Sequence, residues 1–100
     1  MKLSILVPVF NEEKTILSVL KRIHETKISD TDYEIIVIND GSTDNTKTLL
    51  ENNNDLYTSL INNTRNSGKG FSVKQGLKKA SGEYIICLLY TSPSPRDLRL

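Results

Sequence analysis

Four β-favouring residues in a row, Ile35, Ile36, Val37 and Ile38, run straight into the acidic turn Asn39-Asp40-Gly41-Ser42-Thr43-Asp44. A strand with no polar alternation is covered on both faces, as strands of parallel sheets usually are. Asn39, Asp40 and Gly41 then break it. Ser42 or Thr43 can cap the next helix by accepting from its free amides, and Asp44 falls where the positive end of the helix dipole favours a carboxylate. Asp40 is left at the carboxyl edge of the sheet, in the crevice where open α/β sheets bind ligands. An ordinary strand-to-helix turn with a solvated Asp40 explains this segment equally well, so the rest of the chain must decide.

The alternation of strand and helix recurs along the sequence. A first strand over residues 3–9 ends where Pro8 and Asn11 stop regular pairing. Asn11 can cap a helix with Glu12 and Glu13 in its first turn and Ile16, Val19, Leu20 and Ile23 on one face. After a polar linker over 27–32, a second strand covers 33–38 and a helix covers 44–52, with Leu49 and Leu50 turned inward. A third strand is expected over 56–61, diluted by Thr58 and Ser59 as suits a sheet edge. A third helix over 69–80 presents Val73, Leu77 and Ala80, with Gly70 and Gly76 permitting close approach of neighbouring backbone. A fourth strand covers 83–88. The order βαβαβαβ with short connections predicts a Rossmann-like, mostly parallel four-stranded sheet with flanking helices.

One hundred residues make at most one domain, burying roughly 60 to 70% of the unfolded surface. With 13 Lys and Arg against 12 Asp and Glu, the net charge of +1 gives no global pull towards nucleic acid or anionic membrane, so no nucleic-acid partner is expected. Cys87 is the only cysteine, which excludes an internal disulfide and a multi-cysteine zinc pattern; it reads as a small apolar residue in a strand. His24 is also alone, and no Ser/His/Asp triad can be assembled around it. The apolar amino terminus carries Pro8 and then Asn11-Glu12-Glu13 where a signal peptide would have small residues, and it reads as a buried strand. No segment approaches the roughly 20 apolar residues of a membrane span. A soluble, cytoplasmic chain is expected, with membrane contact at most peripheral.

Glu12 follows the first strand and Asp40 the second, and adjacent strands lie only about 4.8 Å apart, so the two acids can share one crevice. A carboxylate there accepts from the imide or amino edge of a nucleobase or from a ribose hydroxyl, while Pro8, Phe10 and Ile38 supply an apolar wall for the flat ring. That favours a nucleoside. The loop Asn66-Ser67-Gly68-Lys69-Gly70 has the ingredients of an anion site: glycine-permitted backbone, a helix N-terminus and a lysine. It does not fit the P-loop or the dinucleotide-binding glycine pattern, and a plain turn with a solvated Lys69 explains it as well.

Taken in order, Pro8-Val9-Phe10-Asn11-Glu12, Ile38-Asn39-Asp40-Gly41-Ser42-Thr43-Asp44, Asn66-Ser67-Gly68-Lys69-Gly70 and Gly76 through Gly82-Glu83-Tyr84 resemble the start of a family 2 glycosyltransferase with the GT-A fold. The likeness covers residues 2 to about 88, and its details are most similar to the branch that makes polyprenyl- or dolichyl-phosphate sugars. The resemblance implies that Pro8, Phe10, Glu12, Ile38 and Asp40 hold the nucleoside of a UDP- or GDP-sugar. It also puts Lys69 near the donor phosphates, and Asn39 where an aspartate is common. It implies a polyprenyl phosphate or another glycan acceptor, and work at the cytoplasmic membrane face for the complete protein.

The family's Asp-x-Asp motif, which holds Mg²⁺ or Mn²⁺ against the diphosphate, is due just after the fourth strand. The chain instead continues Leu89-Tyr90-Thr91-Ser92-Pro93-Ser94-Pro95-Arg96-Asp97-Leu98-Arg99-Leu100. Asp97 alone does not make a paired metal site, so no metal ligand and no catalytic residue is assigned in this chain. The two prolines cannot continue a helix or a central strand. The expected organisation is a partial glycosyltransferase domain over 1–88 and a disordered or non-native tail over 89–100, similar to adapter read-through fused to a shortened frame. Such a fragment would lack turnover and expose a sheet edge. A small non-catalytic nucleotide-binding or regulatory module is the alternative; a flavodoxin-like or response-regulator-like domain also explains the alternation but not the ordered motifs.

Overall fold

The computed structural model describes residues 2–26 and 32–88; the expected tail and most of the expected linker lie outside the described residues. Four parallel strands form one sheet, β1 (Lys2–Val9), β2 (Asp32–Asp40), β3 (Ser59–Asn63) and β4 (Tyr84–Cys87), in the order β3-β2-β1-β4. Between them lie α1 (Ile16–Glu25), α2 (Thr46–Glu51) and α3 (Lys69–Lys79). The Rossmann-like parallel sheet expected from the sequence is therefore present. The chain builds outward from β1 through β2 to β3, then returns across the sheet to add β4 on the other side of β1.

The unbroken apolar run of β2 conceals a two-residue period, because both of its faces are covered. Ile35 and Val37 join Val7, Val9, Ile16, Leu20 and Leu50 in one buried cluster beneath α1 and α2. Ile36 and Ile38 join Leu6 in a second cluster beneath α3, with Val73, Ala80 and Cys87 packed against it. Each of these fully buried aliphatic side chains contributes about 1.5–3 kcal/mol by leaving water. Burial also pushes the Cys87 thiol above its ordinary pKa, in keeping with its reading as a small apolar residue.

The inward face of α3 is made of small residues. Ser72 and Gly76 are buried, and a Cβ at position 76 would lie 3.0 Å from Ile38 Cδ1 and 3.1 Å from Leu6 Cδ2, so the helix sits close on the sheet there. Leu77, expected inside, is 44% exposed. Gly70 has open space where a side chain would go and permits no close approach.

Other expectations shift locally. Pro8 does not end β1, since it pairs in register with Ile38. The Leu6 carbonyl accepts from Leu88 N–H on the β4 side, so Pro8, two residues on, turns its missing donor to the same side, beyond the last β1–β4 pair at Leu6 and Cys87. The third strand begins at Ser59 because Leu56 is held in a short 3-10 turn, Asn54–Leu56, whose last carbonyl accepts a hydrogen bond from His24 Nε2 at 2.8 Å. As expected, β3 is an edge. So is β4, where Tyr84, Ile85 and Ile86 are 59, 45 and 47% exposed.

Candidate functional site

The loops leaving the carboxyl ends of β1 and β2 are sewn to each other. Asn11 adopts a left-handed backbone, φ 53°, and does not cap α1, which begins only at Ile16 after a turn closed by the Glu12 carbonyl. Its side-chain Oδ1 accepts instead from the Thr43 and Asp44 N–H groups at 2.7 and 3.3 Å, and its own N–H donates to Ser42 Oγ at 2.9 Å. Ser42 and Thr43 are thus spent on Asn11. The free amide at the start of α2 is taken by Asp44, whose Oδ1 accepts from the Thr46 N–H at 2.9 Å. Burial pushes the Asp44 carboxyl up, but the hydrogen bonds from Thr46 and the Glu13 N–H outweigh this and hold it below its ordinary value. The Thr46 hydroxyl also accepts from the Glu12 N–H at 3.0 Å, so Glu12 is fixed from the neighbouring loop.

Asp40 is 4% exposed and ties β2 to the loop before α3. Oδ1 accepts from Asn63 Nδ2 at 3.0 Å and from the Ser67 N–H at 2.9 Å; Oδ2 accepts from the Gly68 N–H at 2.8 Å. Burial alone would raise the carboxyl's pKa. These donors, with the Ser72 hydroxyl beside it, reverse the direction and leave it lowered, a charged group at neutral pH. Asn63 is in turn held by Gln75, which both accepts from it at 2.8 Å and donates to it at 2.9 Å. Asn39 bridges to Asn62 and accepts from the Ser42 N–H, a pair of contacts that uses its amide as donor and acceptor. Gly41, φ 73°, lets the Arg65–Asn66 peptide pass directly over the turn, since any side chain there would run into it.

These contacts leave a cleft of about 230 Å³ lined by Pro8, Val9, Phe10, Glu12, Asp40, Asn66, Gly68, Lys69 and Ser72. Five of the six residues singled out from the sequence, Pro8, Phe10, Glu12, Asp40 and Lys69, therefore meet around one space. Ile38 does not. It is fully buried under α3, because the side chain of every second β2 residue from Glu34 to Asp40 faces that helix. The sequence reading missed Ser72, which looked like one polar residue on a helix, and Asn63 and Gln75, whose twelve-residue separation gives no local signal. A half-exposed aromatic, Phe10 at 42%, an apolar proline wall, two carboxylates and a lysine at a helix start can grip a flat ring joined to an anionic group.

The acids at this cleft do not assemble a divalent-metal site. Glu12 Oε2 accepts from the Thr15 hydroxyl, Asp40 is engaged by three protein donors, and among the described residues no group of three or more His, Cys, Asp and Glu side chains converges.

Known proteins are similar to this chain in sequence and in fold. The chain is 35% identical over 91 residues to the undecaprenyl-phosphate 4-deoxy-4-formamido-L-arabinose transferase of Proteus mirabilis, covering 87% of this chain and 28% of the relative. It is 38% identical over 90 residues to the poly-β-1,6-N-acetyl-D-glucosamine synthase of Staphylococcus aureus, covering 86% and 21%. The chain thus spans about a quarter of the length of these relatives. Its fold superposes on residues 1–349 of S. aureus TarS solved in complex with UDP-GlcNAc, with a TM-score of 0.77 and 31% identity over 88% of this chain and 26% of that one. A mannosyltransferase from Pyrobaculum calidifontis solved with GDP-Man and Mn²⁺ gives 0.72 and 30%, covering 83% and 25%. The sheet is that of the GT-A glycosyltransferases, and the sequence model of glycosyl transferase family 2 matches residues 4–88. A cleft built from strand ends, its two stitched loops and a family match over nearly all the described residues agree: the chain belongs to glycosyl transferase family 2.

Proposed function

We propose that residues 1–88 form the donor-binding, amino-terminal part of an enzyme that moves a sugar from a UDP- or GDP-sugar to polyprenyl phosphate or a glycan acceptor. One observation carries this reading: Pro8, Phe10, Glu12, Asp40 and Lys69, from three separate segments, surround a single cleft at the carboxyl ends of β1 and β2. The base lies against Phe10 and Pro8 with its polar edge towards Asp40, and Lys69 offsets the charge of the diphosphate. The relatives' names support a nucleotide-sugar donor and a lipid-phosphate or polysaccharide acceptor. A lipid-linked acceptor would put the complete protein at the cytoplasmic membrane face, although no helix among the described residues is long and apolar enough to cross a membrane.

In the complete enzyme a divalent cation would neutralise the departing nucleotide diphosphate. The described residues of this chain do not supply its ligands, so their part is confined to gripping the nucleotide, and residues 1–100 should bind without transferring sugar. Isothermal calorimetry of the chain with UDP, GDP and their sugars tests the proposal. Saturable heat largely indifferent to Mn²⁺ and weakened by Phe10→Ala is the expected result. No heat with any nucleotide overturns it, and metal-dependent tight binding overturns the division of labour between nucleotide and metal.

A further inference from the structure

From Leu56 to Gly82 the chain contains no acidic residue, and its charges there are all positive: Arg65, Lys69, Lys74, Lys78 and Lys79. The four lysines lie on α3, whereas α1 and α2 each carry a glutamate. Because the whole chain sums to +1, everything outside this stretch is net negative. Glu83, exposed at the foot of β4, is the first acid met beyond it. The acids that fasten α3 from below, Glu34 and Asp40, are buried and hydrogen-bonded on its sheet side. The outward side of α3 is therefore a basic field on a molecule otherwise of opposite sign.

That field is not purely polar. Phe71 is 50% exposed and recurs with Lys74 and Lys78 at three- and four-residue spacing, turned away from the buried Ser72 and Gly76. On one flank of α3 Gln75 reaches Asn63 of β3, so the other flank, with the half-exposed Leu77, is turned to the β4 side. Ile85 of β4, half-exposed too, pairs with Ser4, whose hydroxyl bonds to Glu34 on the α3 side of the sheet. Lysines alone would make a solvated face. With large apolar side chains among them, they make the composition of a helix lying in a lipid interface: rings and aliphatic groups enter the headgroup boundary, and long lysine stems carry their ammonium groups to the phosphates. The core of a protein interface is instead depleted of lysine. We propose that the outward face of α3, with Phe71, Lys74, Leu77, Lys78 and Lys79, docks on an anionic lipid surface. Lys69, at the start of the same helix, lines the cleft, so docking sets the cleft at the edge of that surface. The inference goes beyond nucleotide binding and does not depend on it.

Flotation of the 100-residue chain with vesicles of phosphatidylcholine, or of an equal mixture of phosphatidylcholine and phosphatidylglycerol, tests this. At about 0.1 M salt the chain should float with the mixed vesicles at least about tenfold more than with phosphatidylcholine, and it should be released at about 1 M, where the screening length falls to about 3 Å. Each lysine near such a surface is worth about fivefold, so Lys74→Glu with Lys78→Glu should lower the partition coefficient at least about twentyfold. Lys21→Glu with Lys47→Glu makes the same change of net charge on the helices of the opposite face, and should lower it less than about threefold. The chain has no tryptophan, so Phe71→Trp adds a single reporter, whose emission should shift to the blue on the mixed vesicles. No flotation, an unshifted emission in the floated protein, or equal losses from the two charge reversals overturns the proposal. So does a concentration-dependent blue shift without vesicles, which assigns the face to a second copy of the chain. None of these outcomes bears on the nucleotide cleft.

Discussion

Two buried carboxylates on β2, Glu34 and Asp40, face the same helix from opposite ends of the strand and serve α3 in the same way. Glu34 Oε2 accepts from the Ser81 N–H at 2.7 Å and from the Ser4 hydroxyl at 2.6 Å, fastening the exit of α3 to β1, while Lys2 Nζ stands 3.9 Å from Oε1. Asp40 accepts from the Ser67 and Gly68 N–H groups and fastens the entrance. In both, burial raises the carboxyl's pKa and hydrogen bonds more than reverse it. The difference lies in what surrounds them. Glu34 lies away from any described cleft, whereas Asp40 lines an open one. The same chemistry is enclosed at one end of the sheet and borders a cleft at the other.

Removing the acids one at a time tests that contrast most strongly. Glu34→Ala and Asp40→Ala should each lose about 3 kcal/mol of unfolding free energy by urea denaturation, because buried donors to a charged acceptor are left unpaired. Only Asp40→Ala should lose nucleotide binding. If Glu34→Ala, assayed at a temperature where it remains folded, loses binding as well, the two ends are not functionally distinct. Next in size, Gly41→Ala should cost about 2 kcal/mol or more, from a positive φ combined with a collision against the Arg65–Asn66 peptide. It should displace the loop that Asp40 holds, seen as lost amide-exchange protection at Ser67 and Gly68.

Acid should act on both ends together. A carboxyl depressed on folding contributes stability above its unfolded pKa and loses it as pH falls through the folded one. The denaturation midpoint should therefore be flat near neutrality and decline once the pH passes below the ordinary values of 4.5 for Glu34 and 3.8 for Asp40. In Glu34→Gln the decline should be shallower; an unchanged slope would show that Glu34 is not part of the linkage. The smallest effect belongs to Gln75→Ala, which releases Asn63 on one side only. About 1 kcal/mol of stability is expected to go, with UDP weakened about threefold, and a nucleotide affinity equal to wild type would limit Gln75 to the fold.

The sequence made the element order, the parallel sheet and most of the cleft legible, since these rest on strand runs and on the turn residues that end them. It could not show that Ile38 turns away from the cleft, because a strand buried on both sides hides which residues share a face. Nor could it show the true end of β3. Its polar Asn62 and Asn63 look unlike a strand, yet they pair in register with Asn39 and Asp40 on β2, and their side-chain amides bond to those same residues. Asn11, Ser42 and Thr43 were readable as caps by residue type, yet they bond to one another across two loops that only the folded sheet brings together. Leu77 followed the helical period but faces out, since the sheet accepts the small side of α3 instead.

The height at which α3 rides over β1 and β2 is set at Gly76, one turn beyond the Ser72 that borders the cleft. Position 76 thus works as a spacer for the mouth of the cleft without touching its contents. Even a methyl group there would press on Leu6 and Ile38, so that either those side chains or the helix must give by a few tenths of an ångström. The cleft's α3 wall, Lys69 and Ser72, is therefore held at a height decided by the absence of a side chain one turn away, at a position outside the lining.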